Sequence, residues 1–221
     1  MFGAKGQSKW IKKGVINTGN GHSDLTFEEH ITSKVIKKAN MMVGLIRKSF
    51  SFLSCSLFKR LYTTFVKPHL EYGQFIWSPH LKKYINVIEN VQIRATKLVD
   101  GLSKLDYLER LRRLELPTLV HRRARGDMIE MYKNFHFYEK TTLPTSFCPK
   151  GRGSRRHDYQ LYERIPRDGI RVPQSNSFYF RAAKVWNNLP KAIFDASNIN
   201  ISKHRLDEHW MNETTKFNHE L

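Results

Sequence analysis

Arginines on either side of Pro117 are the residues best suited to do chemistry in this chain. Three precede the proline and three follow it, and the stretch from Arg94 to Arg125 carries nine basic and four acidic residues, a net charge of +5. Guanidinium groups donate paired hydrogen bonds to phosphate oxygens, so this cluster predicts contacts to a nucleic-acid backbone. The predicted contact residues are Arg94, Lys97, Arg110, Arg112, Arg113, Arg122, Arg123, Arg125, Arg152, Arg155 and Arg156.

Pairing within the protein is the alternative for part of this cluster. Arg123 and Asp127 have the i, i+4 spacing of an ion pair on a helix, whereas Arg110 can meet Asp106 or Glu109 only loosely. Some arginines are therefore expected to be structural and others to face phosphates. The basic residues from 150 to 156 are spaced by glycines, which suits either a loop that follows a phosphate backbone or a merely solvated loop.

Carboxylates arranged for metal-dependent catalysis are missing from the sequence. A polymerase holds two metal ions with clustered aspartates, but the eight aspartates here stand singly, with no Asp-Asp or Asp-x-Asp motif. His204 and His209 are five residues apart, which does not place both on one helical face. The sequence thus predicts no catalytic residue, no metal site, no cofactor and no enzymatic activity for this chain alone.

Net charge indicates the class of partner. The 221 residues include 38 Lys+Arg and 20 Asp+Glu, a formal charge of +18, and the hydrophobic content of 40% is enough for a folded core. Such a charge favours a polyanionic partner. No apolar run is long enough for a membrane span, no secretory signal is evident, and there are only two cysteines, so an intracellular protein that does not insert into a membrane is expected.

Apolar spacing predicts a mainly α protein: a helical bundle followed by a small α+β segment with a short hairpin. The predicted divisions are a strand and loop remnant, partly disordered, over 1–23, a helical domain over 24–140, a basic linker over 141–156, and a hairpin-plus-helix segment over 157–221. The first helix follows a Thr26/Glu29 capping box, with an apolar face that recurs from Ile31 to Phe50 and lysines mostly off that face.

Helix boundaries are predicted from prolines, glycines and capping residues. Pro68 should end or kink the second helix, Ser78 and Pro79 should open the third, and Gly101 lies just past its end. A short fourth helix begins at Tyr107 and a fifth is capped by Thr118. Further on, residues 159–165 and 170–172 are predicted to form a hairpin around the turn 166–169. A helix capped by Ser177 should end at Pro190, and a last short helix should begin near Lys203.

A series of short motifs resembles one family. The series includes Leu70-Glu71-Tyr72, Trp77-Ser78-Pro79, Glu89-Asn90-Val91-Gln92, Leu116-Pro117-Thr118-Leu119, Arg125-Gly126-Asp127-Met128 and Val185-Trp186-Asn187. In order and spacing, over about residues 24–210, it resembles the region downstream of the palm in reverse transcriptases of non-LTR (LINE-type, jockey-like) retrotransposons.

The resemblance implies a thumb, the helical bundle that grips a template–primer duplex after the catalytic palm. It implies an RNA–DNA hybrid or DNA duplex as partner, bound through phosphates without sequence specificity, and a parent polymerase that uses Mg²⁺ held by residues absent here. Two alternatives remain open. One is a protein-interaction or self-associating module that docks on a missing palm or another partner through the region of Met41, Met42 and Phe50. The other is a decayed element without a role.

Overall fold

The protein, in a computed structural model, divides into two compact units at Glu115 and Leu116. The structure describes residues 34–72, 74, 78–79, 81–136, 147–149, 160–163 and 178–211. Most of these residues are helical, which confirms the mainly α prediction. The predicted remnant over 1–23 and the capping box of the first helix lie outside the described residues.

The first unit is built from helices with short connections. They are α1 (Lys37–Ser49), α2 (Cys55–Leu61), a π-helical turn (Tyr62–Val66), α3 (Lys67–Glu71), α4 (Lys82–Thr96) and α5 (Tyr107–Leu114). Each buries an apolar face in one core. Its fully buried members include Ala39, Phe58, Val66, Val91 and Leu111. The lysine-bearing side of α1 is left at the surface, as the periodicity predicted.

Pro68 does not break its helix, because a π-helical turn precedes it. The amide of Lys67 donates to the carbonyl of Tyr62, a five-residue step that widens the backbone just before the proline. A wider turn accommodates a proline ring that would otherwise meet the carbonyl four residues back. Lys67 therefore keeps helical angles and the chain stays helical to Glu71. Of the two predicted outcomes, an end or a kink, the helix does not end at Pro68; it departs from regular α geometry in the π-helical turn just before the proline.

The start of α4 also differs from the prediction. Ser78 and Pro79 lie in irregular chain, and the helix begins at Lys82 after an extended Leu81 that makes no side-chain cap. At the far end, Gly101 adopts φ 77°, the left-handed conformation that glycine tolerates best. The neighbouring Asp100 accepts from the amide of Leu53 and donates its own amide to the Leu53 carbonyl. These bonds fix the α1–α2 connection against the end of α4.

α5 is short and capped at both ends. The Asp106 carboxylate accepts from the amide of Leu108 at 2.6 Å, and Glu115 closes the helix in a left-handed conformation with φ 52°. Lys59 donates to Glu115 at 2.6 Å, and this hydrogen bond together with the lysine's charge lowers the pKa of the Glu115 carboxyl.

The second unit contains α6 (Leu119–His136), β1 (Phe147–Pro149), β2 (Leu161–Glu163), α7 (Phe178–Asn188), α8 (Lys191–Phe194) and α9 (Ile199–His209). Thr118 caps α6 as predicted, accepting from the amide of His121 at 3.2 Å. Trp186 lies at the centre of the core, stacked on Phe135 and edge-on to Phe194. The last helix begins at Ile199 rather than near Lys203, because the Asn198 side chain caps it.

The strand pairing corrects the predicted hairpin. β2 falls where a strand was expected, but its antiparallel partner is β1, with Phe147 opposite Glu163 and Pro149 opposite Leu161. The predicted return strand 170–172 lies outside the described residues. The Asn187 side chain donates to the carbonyl of Leu161 at 2.7 Å and accepts from its amide at 2.8 Å, so it substitutes for a strand on the other edge of β2. Residues 147–149, predicted as linker, thus form a strand.

The division between the units corrects the predicted domain boundary. The sequence placed the helix after Pro117 in the first domain, which was expected to run to residue 140. Instead α6 packs with α7 and α9, and its Met128, Met131 and Tyr132 belong to the core around Trp186. The first unit ends at the left-handed Glu115, two residues before Pro117. Apolar spacing shows that a helix is amphipathic but not which neighbour its apolar face meets.

Candidate nucleic-acid interface

The outward faces of α1 and α4 carry cations and no carboxylate. α1 contains no acidic residue, and the single acidic residue of α4, Glu89, is 0% exposed. The guanidinium of Arg94 on α4 donates to the Asn40 side chain of α1 at 3.0 Å, so the two helices are neighbours at this point. We define the α1–α4 surface by its exposed cations: Lys37, Lys38, Arg47, Lys48, Lys82, Lys83, Arg94 and Lys97.

A buried polar network holds α4 in the orientation that exposes those cations. The Tyr107 hydroxyl of α5 donates to Glu89 at 2.5 Å and accepts from the amide of Gln92 at 3.1 Å. Gln92 in turn accepts from the Tyr62 hydroxyl of the π-helical turn at 2.5 Å. Two elements, α5 and the π-helical turn, are therefore tied to the inner side of α4. Because Glu89 and Gln92 point inward, the opposite side of α4 faces outward.

The electrostatics of this network keep Tyr107 protonated. Burial raises the pKa of the Tyr107 phenol, and the adjacent negative charge of Glu89 raises that pKa further. Arg110, one turn along α5, lies with its guanidinium 5.6 Å from the Tyr107 ring centre. The network thus places the Glu89 carboxylate beside a neutral phenol and keeps its charge off the α1–α4 surface.

Two predicted contact residues lie on the α1–α4 surface. Arg94 and Lys97 are both exposed at the carboxyl end of α4. Arg94 also donates to the carbonyl of Asn90 at 3.3 Å, which aligns its side chain along the helix. A cation at this end of a helix is favoured by the helix dipole.

The prediction that Arg110 contacts phosphate is wrong, because the structure buries this residue. Only 2% of the residue is exposed, and among the described residues its Nε and Nη1 atoms have no hydrogen-bond partner. Burial lowers the pKa of its guanidinium from the usual value. Tyr107, Arg110, Leu111 and Leu114 form the inner face of α5 at helical spacing. That spacing could have indicated from the sequence that Arg110 points inward.

Arg112 and Arg113 remain at the surface but share one carboxylate. Glu109 lies 3.0 Å from the Nε of Arg113 and 3.8 Å from Arg112. Because this carboxylate stands beside two cations, the outer side of α5 is less positive than the α1–α4 surface.

The predicted arginines after Pro117 belong to the second unit, where ion pairs and burial hold them. Arg123 is buried, which corrects its assignment to a phosphate contact, while Arg122 is half-buried. Arg125 donates to both oxygens of Asp207 at 2.6 and 2.8 Å. Arg152, Arg155 and Arg156 lie outside the described residues.

Asp127 pairs with Arg181 of α7 in addition to the interaction with Arg123 that the spacing predicted. Its carboxylate accepts from Arg181 of α7 at 2.8 and 3.0 Å, while Arg123 acts on it through charge. Burial raises the pKa of the Asp127 carboxyl, and the Arg181 hydrogen bond and charge oppose that rise. This pair connects α6 to α7 and is structural.

Six cations of the α1–α4 surface were missing from the predicted contacts: Lys37, Lys38, Arg47, Lys48, Lys82 and Lys83. The signal for the α1 lysines was present, since they fall off the apolar face of the first helix. What the sequence could not show is that α4 lies beside α1, so that the two sets of cations combine.

Within the described parts of the chain, no three His, Cys, Asp or Glu residues are grouped so that they could hold a metal ion. In those same parts, no helix has the length and apolar character needed to cross a membrane.

Comparison with known proteins identifies one curated relative. An uncharacterized protein of Caenorhabditis elegans is 27% identical over 140 residues, which covers 57% of this chain and 70% of the relative. No family model matches the chain. No solved structure matches it either. The resemblance to retrotransposon reverse transcriptases therefore stays a prediction from the motifs.

Proposed function

We propose that this chain binds the phosphate backbone of nucleic acid through the α1–α4 surface, without sequence specificity and without catalysis of its own. In this proposal it is a thumb-like part of a retrotransposon RNA-directed DNA polymerase, and its ligand is an RNA–DNA hybrid or a DNA duplex. The observation that carries the proposal is the charge segregation: eight exposed cations on two neighbouring helices, with the one carboxylate of those helices buried.

The dimensions of the surface suit a duplex. A helix of 15 residues, such as α4, is about 22 Å long. Successive phosphates on one strand are separated by about 3.4 Å along the duplex axis, so this length spans about six of them. Lysines and arginines that contact phosphates fix position and supply affinity, whereas sequence is read by contacts to base edges.

Fluorescence anisotropy with a labelled duplex tests the proposal. The logarithm of the association constant should fall linearly with the logarithm of salt concentration, with a slope of about 0.9 for each phosphate neutralised. Reversal of two surface charges, Arg94→Glu with Lys97→Glu, should weaken binding to duplexes of unrelated sequence to the same extent.

A matched control variant separates the effect of the α1–α4 surface on duplex binding from the effect of total net charge. Lys184 and Lys191 are exposed in the second unit, and their reversal to Glu changes the net charge by the same amount. The proposal requires the control variant to bind several-fold more tightly than the Arg94/Lys97 variant. Equal losses would mean that total charge, rather than the α1–α4 surface, governs binding.

A further inference from the structure

One side of α1 combines cations with an exposed apolar pair. Helical spacing aligns six residues within about 100° of the helix circumference, five in α1 and one, Lys34, in the π-helical residues 34–36 that lead directly into it. We call this set the α1 stripe: Lys34, Lys37, Lys38, Met41, Leu45 and Lys48. Met41 is 60% exposed and Leu45 is 57% exposed, while Ala39 and Ile46 on the opposite side are buried in the core. The stripe is therefore an outward ridge on a helix that is firmly packed on its other side.

The order of residues along the stripe is cationic, apolar, cationic. Met41 and Leu45 stand one turn apart in the middle, with three lysines toward the amino end and Lys48 toward the carboxyl end. The distance from Lys34 to Lys48 is about 21 Å along the axis. A ligand that fits the stripe is therefore elongated, with an apolar centre and negative charge at both ends.

We propose that the α1 stripe docks an acidic amphipathic helix of a partner protein. The partner helix presents aliphatic side chains at i, i+4 against Met41 and Leu45, and carboxylates at its two ends against the lysines. Recognition of this kind places the apolar face of one helix on a complementary apolar surface, with flanking charges setting register. The inference goes beyond the proposed function, because phosphate contacts give Met41 and Leu45 no apolar surface to meet.

Charge decides against a second copy of this chain as the occupant. α1 contains no acidic residue, so pairing two α1 stripes would bring lysines against lysines at both ends. A lipid surface is also disfavoured, since only two apolar side chains project and the other side of the helix is held in the core. An acidic helix satisfies both the charge and the apolar requirement.

Binding of a synthetic peptide to the full chain tests the proposal. The probe is a labelled helical peptide of 16 residues with two leucines at i, i+4 in the centre and glutamates at both ends. Two control peptides have the same composition with the leucines on opposite faces, or glutamine in place of every glutamate. The proposal predicts that the probe binds at least tenfold more tightly than either control. Equal binding of a control peptide would overturn it.

Substitutions in the chain test whether the probe peptide binds at the α1 stripe. Met41→Ser with Leu45→Ser should weaken probe binding at least tenfold. The matched control, Ile201→Ser with Met211→Ser, also replaces an exposed aliphatic residue and an exposed methionine, but in the second unit, and should leave probe binding unchanged. All substituted positions are exposed, so thermal melts should match the unsubstituted chain. Probe binding that is insensitive to the Met41/Leu45 substitutions would overturn the proposal.

Binding experiments with a DNA duplex and with lipid vesicles test whether the α1 stripe instead binds nucleic acid or a membrane. The Met41/Leu45 variant should bind a DNA duplex as tightly as the unsubstituted chain, whereas Arg94→Glu with Lys97→Glu should lose duplex binding. A failure of the nucleic-acid proposal thus appears in a different variant from a failure of this one. Duplex binding that depends on Met41 and Leu45 would reassign the stripe to nucleic acid and overturn the proposal. Recruitment to phosphatidylserine vesicles that depends on these residues would equally overturn it.

Discussion

Removal of the Tyr107 hydroxyl is the most informative test of how the α1–α4 surface is held. In Tyr107→Phe the ring remains, but two hydrogen bonds are lost: the 2.5 Å bond to Glu89 and the 3.1 Å bond from Gln92. Both partners are almost fully buried, with 0% and 1% of each residue exposed. Water therefore cannot replace the hydroxyl without rearrangement of the core.

The magnitude follows from that burial. A buried polar group that loses its partner costs about 1–3 kcal/mol, and a charged group costs more. Since a carboxylate and an amide are both affected, we expect the free energy of unfolding of the first unit to fall by about 3 kcal/mol. With a urea slope of about 2 kcal/mol per M, the unfolding midpoint of this unit falls by more than about 1 M.

Hydrogen exchange in increasing urea assigns the loss to the correct unit. Amides of α4 and α5 should exchange faster in Tyr107→Phe, while amides of α6 and α9 should be unaffected. Tyr72→Phe is the matched control, because Tyr72 is 74% exposed and its substitution should change stability by less than about 0.5 kcal/mol. If Tyr107→Phe and Tyr72→Phe had equal effects, the network would not hold α4.

A double variant separates the network from simple loss of packing. In Tyr107→Phe with Glu89→Leu, both the hydroxyl and its carboxylate partner are replaced by apolar groups, and such paired replacement costs less than removal of one partner. The double variant should therefore be destabilised by less than the sum of the two single variants, which signals energetic coupling between them. Strict additivity would contradict the hydrogen bond.

Two further predictions concern pH and ion pairs. Burial raises the pKa of Tyr107 in the folded chain, whereas the phenol of the unfolded chain ionises near pH 10. The free energy of unfolding should therefore be retained below about pH 10 and fall above it by up to about 1.4 kcal/mol per pH unit. In alkaline denaturation this fall should be shallower for Tyr107→Phe. Arg181→Leu should destabilise the second unit by about 3 kcal/mol in urea denaturation, because Asp127 is 5% exposed, whereas Arg125→Leu should cost about 1 kcal/mol or less, because its partner Asp207 is half exposed. Equal costs for the two arginines would contradict the burial argument.

Local signals predicted the helices well where a single segment carries the information. Thr118 caps its helix and Asn188 ends the helix before Pro190. Gly101 takes the left-handed conformation but does not cap α4, which ends five residues earlier at Thr96. Capping depends on residues within one turn, so the sequence determines it directly. At Pro68 the sequence left an end or a kink open, and the structure has a π-helical turn from Tyr62 to Val66 that lets the chain stay helical.

The candidate site was less predictable because it depends on partners far apart in sequence. Arg125 pairs with Asp207, 82 positions along the chain, and Asp127 pairs with Arg181, 54 positions along. No local spacing indicates such pairs, so Arg125 was counted as available to phosphates. Conversely, the α1 lysines were recognised as an outer face, but their combination with α4 required the contact between Asn40 and Arg94.

We propose above all that the α1–α4 surface binds a phosphate backbone. The most direct test of this proposal is the salt dependence of duplex binding by the unsubstituted chain, the Arg94→Glu/Lys97→Glu variant and the Lys184→Glu/Lys191→Glu variant. We expect a steep linear slope for the unsubstituted chain and for the second-unit variant. For the Arg94/Lys97 variant we expect a slope smaller by about 2, since each lost phosphate contact removes about 0.9. Identical slopes for all three proteins, or binding independent of salt, would contradict the proposal.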